Sequence, residues 1–151
     1  MIEVLLAVVV LAVGLLAGSK MQLLGLNYTQ GAQMRSTATL AANDIIDRMR
    51  LNPAGVAAGS YDNTSTENLP INPNCITNGC TPSDLADHDR LVWASYFGQG
   101  PGADTSTPLN GAVGEINLNT GTGFHMVTVT WNELIEGEEQ ERQISMGVNL
   151  N

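Results

Sequence analysis

Three small groups of residues carry side chains able to do chemistry. Glu3 stands at the head of an apolar run, residues 4–19, which is sixteen residues long without a charge or a proline. A carboxylate at the edge of such a run costs on the order of 2–3 kcal/mol toward a bilayer centre and less near an interface, so it is a candidate for a functional partner. The plainer reading puts it at headgroup level with no partner. Cys75 and Cys80 bracket Ile-Thr-Asn-Gly, a spacing that closes a small ring and stiffens a turn in an oxidising compartment. A redox motif wants two residues between its cysteines, and a metal cage wants histidines beside them, whereas His88 and His125 stand apart. Asp84, Asp87, His88 and Asp89 can be drawn as a cation site or an acid–base cluster. Without calcium-loop spacing they read instead as an acidic first turn and a solvated helix face. Phosphate-binding glycine loops, nucleophile elbows, His-rich metal patterns and Cys–His signatures do not occur. The sequence therefore reads as no enzyme, with no catalytic, cofactor-binding or metal residues.

These groups must be positioned by about one domain's worth of chain. Of 151 residues, 43% are apolar and 5% aromatic, and 15 acidic residues face 6 basic ones for a net charge of −9. Residues 1–50 carry four basic and three acidic groups, and the remainder carries two basic and twelve acidic ones. An acidic body of this kind repels nucleic acid. A two-domain enzyme is excluded by length.

The apolar run continues after Lys20 through Leu26 and is long enough to cross a bilayer. No basic stretch precedes it and no small-residue cleavage site ends it, so it does not read as a cleaved secretory signal. Beyond Tyr28, apolar residues recur at Met34, Ala38, Ala41, Ile45 and Met49, with Arg35, Ser36, Asn43, Asp44, Asp47 and Arg48 on the other side. Steps of three and four make one amphipathic stripe. Asn52-Pro53 is the stop, because the residue before a proline is pushed out of the helical region. One helix of about fifty residues, roughly 75 Å long, is therefore expected, with its apolar half protruding from a body too small to cover it.

Residues 54–80 sustain no period and are expected to form a long surface loop. Thr81-Pro82-Ser83-Asp84 starts a second helix, with Thr81 as cap, running to about Phe97 and ending at Gly98. After another loop the period changes to two. A weak strand is expected at residues 113–118 and a strong one at 124–131, with His125, Val127, Val129 and Trp131 on one face. A turn at Glu136-Gly137-Glu138-Glu139 leads to a returning strand at 143–148. His125 reads as a strand residue rather than a ligand. The buried face of this antiparallel meander should pack on the amphipathic half of the first helix.

Met1-Ile2-Glu3-Val4-Leu5-Leu6-Ala7-Val8-Val9-Val10-Leu11 resembles the N-terminal motif of type IV pilins and pseudopilins. Val13-Gly14-Leu15-Leu16 and Leu24-Gly25-Leu26 are similar to minor pilins of the PilV type, the type IV pilus modification proteins. So are Leu40-Ala41-Ala42-Asn43-Asp44-Ile45-Ile46-Asp47-Arg48-Met49-Arg50-Leu51-Asn52-Pro53 and the stretch from Cys80-Thr81-Pro82-Ser83-Asp84 to Trp93. The resemblance covers residues 1–53 and 75–97, and 124–148 more loosely. It implies an α+β, type IV pilin-like fold. Residues 1–26 form the transmembrane and filament-core half of the helix, 27–53 its amphipathic half, and 54–151 a periplasmic globular domain.

The resemblance gives Glu3 the role of docking onto a neighbour's N-terminal amine. Val4, Leu5, Leu6, Val8, Val9, Leu11, Leu15 and Leu16 hold the subunit first in the inner membrane and later in the filament core. It implies a minor pilin that helps start pilus assembly at or near the tip, in pili that serve adhesion and twitching motility. Its partners would be other minor pilins, the major pilin, the inner-membrane assembly platform and a tip adhesin, with no nucleic acid. The alternatives are a type II secretion pseudopilin and, from another class, a membrane-anchored periplasmic enzyme. The chain begins inside the family's motif, so a leader, its cleavage glycine and the first, N-methylated mature residues are expected to precede it. It also has Gly14, Gly18 and Gly25 where many major pilins have a proline.

Overall fold

The computed structural model describes residues 1–135 and 137–150. Helix α1 runs unbroken over Ile2–Leu51, about 75 Å at 1.5 Å per residue. Asn52 ends it and begins the next element. Its side-chain Oδ1 accepts from the Gly55 amide at 3.1 Å, capping the short helix α2, Pro53–Ala57, which has proline in its first turn.

The stretch expected to be one long surface loop is partly ordered, and that expectation needs correcting. Besides α2 it holds a two-residue strand β1, Thr64–Ser65, and a single helical turn α3, Cys75–Asn78. Val56 and Tyr61 are buried within it. Thr66 and Gly114 exchange bonds, amide to carbonyl at 2.9 Å and amide to hydroxyl at 3.0 Å, tying the loop to the sheet. One turn of helix is too short to show a period, which is why composition alone hides these elements.

Helix α4 spans Pro82–Ala94 behind a complete capping box. The Asp84 amide donates to the Thr81 hydroxyl, and the Asp84 carboxylate accepts from the Thr81 amide. The helix tightens into a 3₁₀ turn at Ser95–Phe97 and ends on Gly98, whose φ of +68° suits glycine.

Strands β2 (Val113–Asn119), β3 (Phe124–Ile135) and β4 (Glu138–Asn149) complete a four-stranded antiparallel sheet in the order β1-β2-β3-β4 among the described residues. Ile116 faces Val127, and Val129 faces Ile144. The last two strands outrun their expected bounds. Ile135 pairs with Glu138 and Leu134 with Glu139, so both glutamates belong to β4 and the turn is shorter than expected. Gly137 turns it at φ +89°, and Glu136, part of the expected turn, lies outside the described residues. Polar residues on both faces of this hairpin end carried no alternation to read.

The core lies where α1, the sheet and α4 meet. Ala38, Ala41, Ala42, Ile45 and Met49 are completely buried, as are Val127 and Val129 of β3 and Phe97 behind α4. Three alanines on one helix face let the facing side chains approach the α1 backbone closely. Trp93 and Phe97 stack edge to face at 5.4 Å between ring centres, an arrangement favoured by the ring quadrupoles. The amphipathic stripe read from the sequence is thus the face that α1 turns to the core.

Candidate functional site

The protruding half of α1 is the most unusual surface of the molecule. An eighteen-residue stretch of this helix is apolar enough to cross a membrane and none of it is buried. Val4, Leu5, Leu6, Val8, Val9, Leu11, Leu15 and Leu16 all stand free, Leu5 at 68% exposure. Such a contiguous apolar surface requires a lipid or protein cover. Gly14, Gly18 and Gly25 have open space around them, so another helix has room to come close there.

Glu3 lies in the first turn of α1, where a negative charge faces the positive end of the helix dipole. It is exposed, and among the described residues it has no hydrogen-bond or ion-pair partner. The structure brings Glu3 together with its apolar neighbours along one helix and with nothing from the body.

The two stretches that most resemble minor pilins, residues 40–53 and 80–93, fold directly against each other. Trp93 Nε1 donates to the Ala41 carbonyl at 2.9 Å, and Asn52 Nδ2 donates to the Pro82 carbonyl at 2.7 Å. Arg48 joins them electrostatically, with Nε 2.8 Å from Asp44 and Nη1 3.2 Å from Asp89. The Tyr61 hydroxyl donates to the other Asp89 oxygen at 2.7 Å and accepts from Asn52 at 3.1 Å. Burial, reinforced by the hydrogen bond to Asp89, pushes the Tyr61 phenol well above its ordinary range.

This overturns part of the reading of the acidic cluster. Asp89 is buried and satisfied by Arg48 and Tyr61. Asp84 belongs to the helix cap, where bonds from Thr81 hold its carboxyl below the usual range, and Asp87 pairs with Arg90 at 3.3 Å. The cluster is split among three jobs, and among the described residues no three His, Cys, Asp or Glu side chains converge as a metal cage. His125 is buried on β3 with Nε2 2.9 Å from Asp62. Cys75 and Cys80 are joined in a disulfide with Cα atoms 5.0 Å apart, beside the start of α4.

One feature escaped the sequence reading. Where α1 leaves the apolar half it meets the end of the β3–β4 hairpin at Gly31, and a Cβ there would collide with the Glu133 carboxylate. Glu133, nearly buried, sits between Arg35 (3.4 Å) and Arg142 (3.7 Å). The glycine within the helical stripe was the available signal.

A long helix with an exposed apolar head and a carboxylate in its first turn, laid by its second half on an antiparallel sheet, is an α+β, type IV pilin-like architecture. The Tt1218-like family model, described as type IV pilin Tt1218, matches residues 20–91, from within the apolar segment of α1 through most of α4. No curated protein and no solved structure matches the chain. The match spans just under half of the chain and makes that part similar to type IV pilins. The apolar head of α1 is compatible with membrane anchoring and with a pilus.

Proposed function

We propose that this protein is a PilV-type minor pilin that takes part in starting type IV pilus assembly, in a small minor-pilin complex at or near the filament tip and beneath a tip adhesin. The observation that carries the proposal is the free Glu3 at the head of a wholly exposed apolar helix. Residues 1–26 anchor the subunit in the inner membrane before assembly and line the filament core afterwards. Residues 27–53 bind the body, and residues 54–151 form the domain that faces the periplasm and then the cell exterior. The protein works by association and carries out no catalysis. The close packing of residues 40–53 on 80–93 supports the minor-pilin reading, because the two stretches that resemble that family form one structural unit.

The mechanism follows from the dielectric change on leaving the bilayer surface. Among the described residues Glu3 has no partner, so entry into an apolar filament core penalises it until a cation arrives. The charged N-terminal amine of the neighbouring subunit is that cation. The pair is far stronger in the core than in water, so it selects the docked register. The major pilin, other minor pilins and the inner-membrane assembly platform are the partners of this step.

The test is a count of surface pili in a deletion strain whose retraction motor is also disabled. Restoration by the wild-type gene but not by Glu3→Ala is the expected result. Normal pili without the gene would overturn the initiation role and favour a type II secretion pseudopilin.

A further inference from the structure

The two edges of the sheet are guarded unequally. An open edge strand presents unpaired N–H and C=O groups, and proteins blunt it with short length, proline, a bulge or charge. At one edge β1 is only two residues long. At the other β4 runs for twelve residues, and among the described residues no strand pairs with its outer side. Its ladder to β3 is continuous, one residue to one from Glu138 to Asn149, so no bulge turns the edge away. Charge guards one end alone. Glu138, Glu139, Glu141 and Arg142 lie toward the hairpin turn, whereas residues 143–149, Gln-Ile-Ser-Met-Gly-Val-Asn, hold neither a charge nor a proline.

This uncharged stretch also leaves apolar surface at the rim of the core. Ile144, Met146 and Val148 stand across the ladder from Val129, Val127 and His125, on the side where α1 packs. Val148 is buried, but Ile144 and Met146 are only half-buried at the open edge. A strand added along β4 completes both the hydrogen-bond ladder and the cover of these two side chains.

We propose that the added strand is β4 of a second copy of this chain, paired antiparallel about a two-fold axis through Met146. The core-facing residues of β4 are the even-numbered ones, and directly opposed residues share a face, so the axis passes through a residue and not between two. Centred on Met146, the pairing lays the uncharged stretch on itself. Ile144 then meets Val148 of the second copy and Met146 meets its own equivalent, which joins the two cores in one apolar row. Sliding the register toward the hairpin turn brings Arg142 onto Arg142 and then Glu139 onto Glu141, and like charges directly opposed are destabilising. Charge thus selects the neutral centre and holds the acidic ends of two chains of net charge −9 apart.

Direction decides where such a pair forms. The axis stands perpendicular to the sheet, so it reverses every direction in the sheet plane, including that of α1, which lies on the sheet. The two apolar rods then point opposite ways. Copies anchored in one membrane or packed in one filament core have their rods parallel and cannot pair in this manner. Resting on the pilin role proposed above, the pair therefore joins subunits of two filaments that run in opposite directions.

The experiment uses the full chain in detergent. Its two native cysteines are bonded to each other, so one added cysteine supplies the reactive thiol. Wild type is expected to sediment as a concentration-dependent dimer. On oxidation Met146→Cys gives a disulfide-linked dimer and Glu139→Cys does not. Met146→Lys sets two like charges on the axis and weakens the dimer about tenfold or more. Should it fail to fold, Ser145→Lys, on the exposed face beside the axis, gives the same loss. A monomer at every concentration overturns the proposal, as does a dimer that crosslinks through Gln22→Cys on α1 and not through Met146→Cys. In cells Met146→Lys should leave the number of pili unchanged and lower clumping between cells. Loss of pili instead would seat another pilin on β4 and overturn the second copy as its occupant. Normal pili in the deletion strain, with the Met146→Cys crosslink intact, would overturn the pilin role and the placement between filaments while the pairing itself stands.

Discussion

The indole N–H of Trp93 donates to the backbone carbonyl of Ala41 at 2.9 Å, joining α4 to the middle of α1 across 52 positions of sequence. Both residues are buried, so water cannot replace the bond. Trp93→Phe keeps most of the apolar bulk but loses the donor, and is expected to lower stability by about 1–2 kcal/mol. Trp93→Ala opens a cavity as well and should cost about 3–5 kcal/mol. Denaturant unfolding of the full chain in detergent, followed by far-UV dichroism, checks both values, and equal losses in the two variants would show that the hydrogen bond is not separable from the packing.

Gly114 of β2 lies against the same aromatic pair. A Cβ there would come within 2.5 Å of the Trp93 ring and 2.8 Å of the Phe97 ring. The backbone is ordinary strand, so the cost of Gly114→Ala is overpacking alone, about 1–3 kcal/mol. Trp93→Phe shortens the obstructing ring and should recover part of this loss, which a double-mutant cycle measures.

Tyr61 sets an alkaline limit on the body. Its folded pKa is raised by burial and by its bond to Asp89, so the stabilisation is fully present below the ordinary phenol value of 10.0 and is lost as pH rises through the folded value. Tyr61 is expected to be the last of the three tyrosines to ionise, in step with unfolding. Tyrosinate absorbance against pH, recorded beside near-UV dichroism, checks the coincidence. Tyr61→Phe should remove the late phase from the titration.

Reduction of the Cys75–Cys80 bond should act locally. The ring it closes is short, so the loss of chain constraint is worth about 2 kcal/mol or less. Hydrogen exchange should quicken over α3 and the first turn of α4 and remain unchanged in β3. Faster exchange in β3 would show that the ring supports the whole body.

Elements built from local chemistry were legible. The stripe Ala38, Ala41, Ile45, Met49, the Thr81 cap and the alternation around Val127 each follow from neighbours within a turn or two. What was not legible depends on pairs far apart in sequence. Asp89 read as solvated because its partners Arg48 and Tyr61 lie 41 and 28 residues away. The Arg35–Glu133 pair spans 98 residues and joins helix to hairpin, a contact that periodicity does not specify. Glu3 stands apart from both cases. Its proposed partner belongs to another subunit, so the resemblance at the N-terminus spoke to its role and the fold of one chain did not.

The body holds α1 only along its second half, and the bonds across the α1–α4 contact, Trp93 to Ala41, Asn52 to Pro82 and Arg48 to Asp89, all lie to one side of the point where the rod emerges. A tensile load entering through the apolar end runs parallel to that contact. The bonds are then strained together in shear instead of being peeled one after another, and the domain behaves as a grip that fails at a single high force.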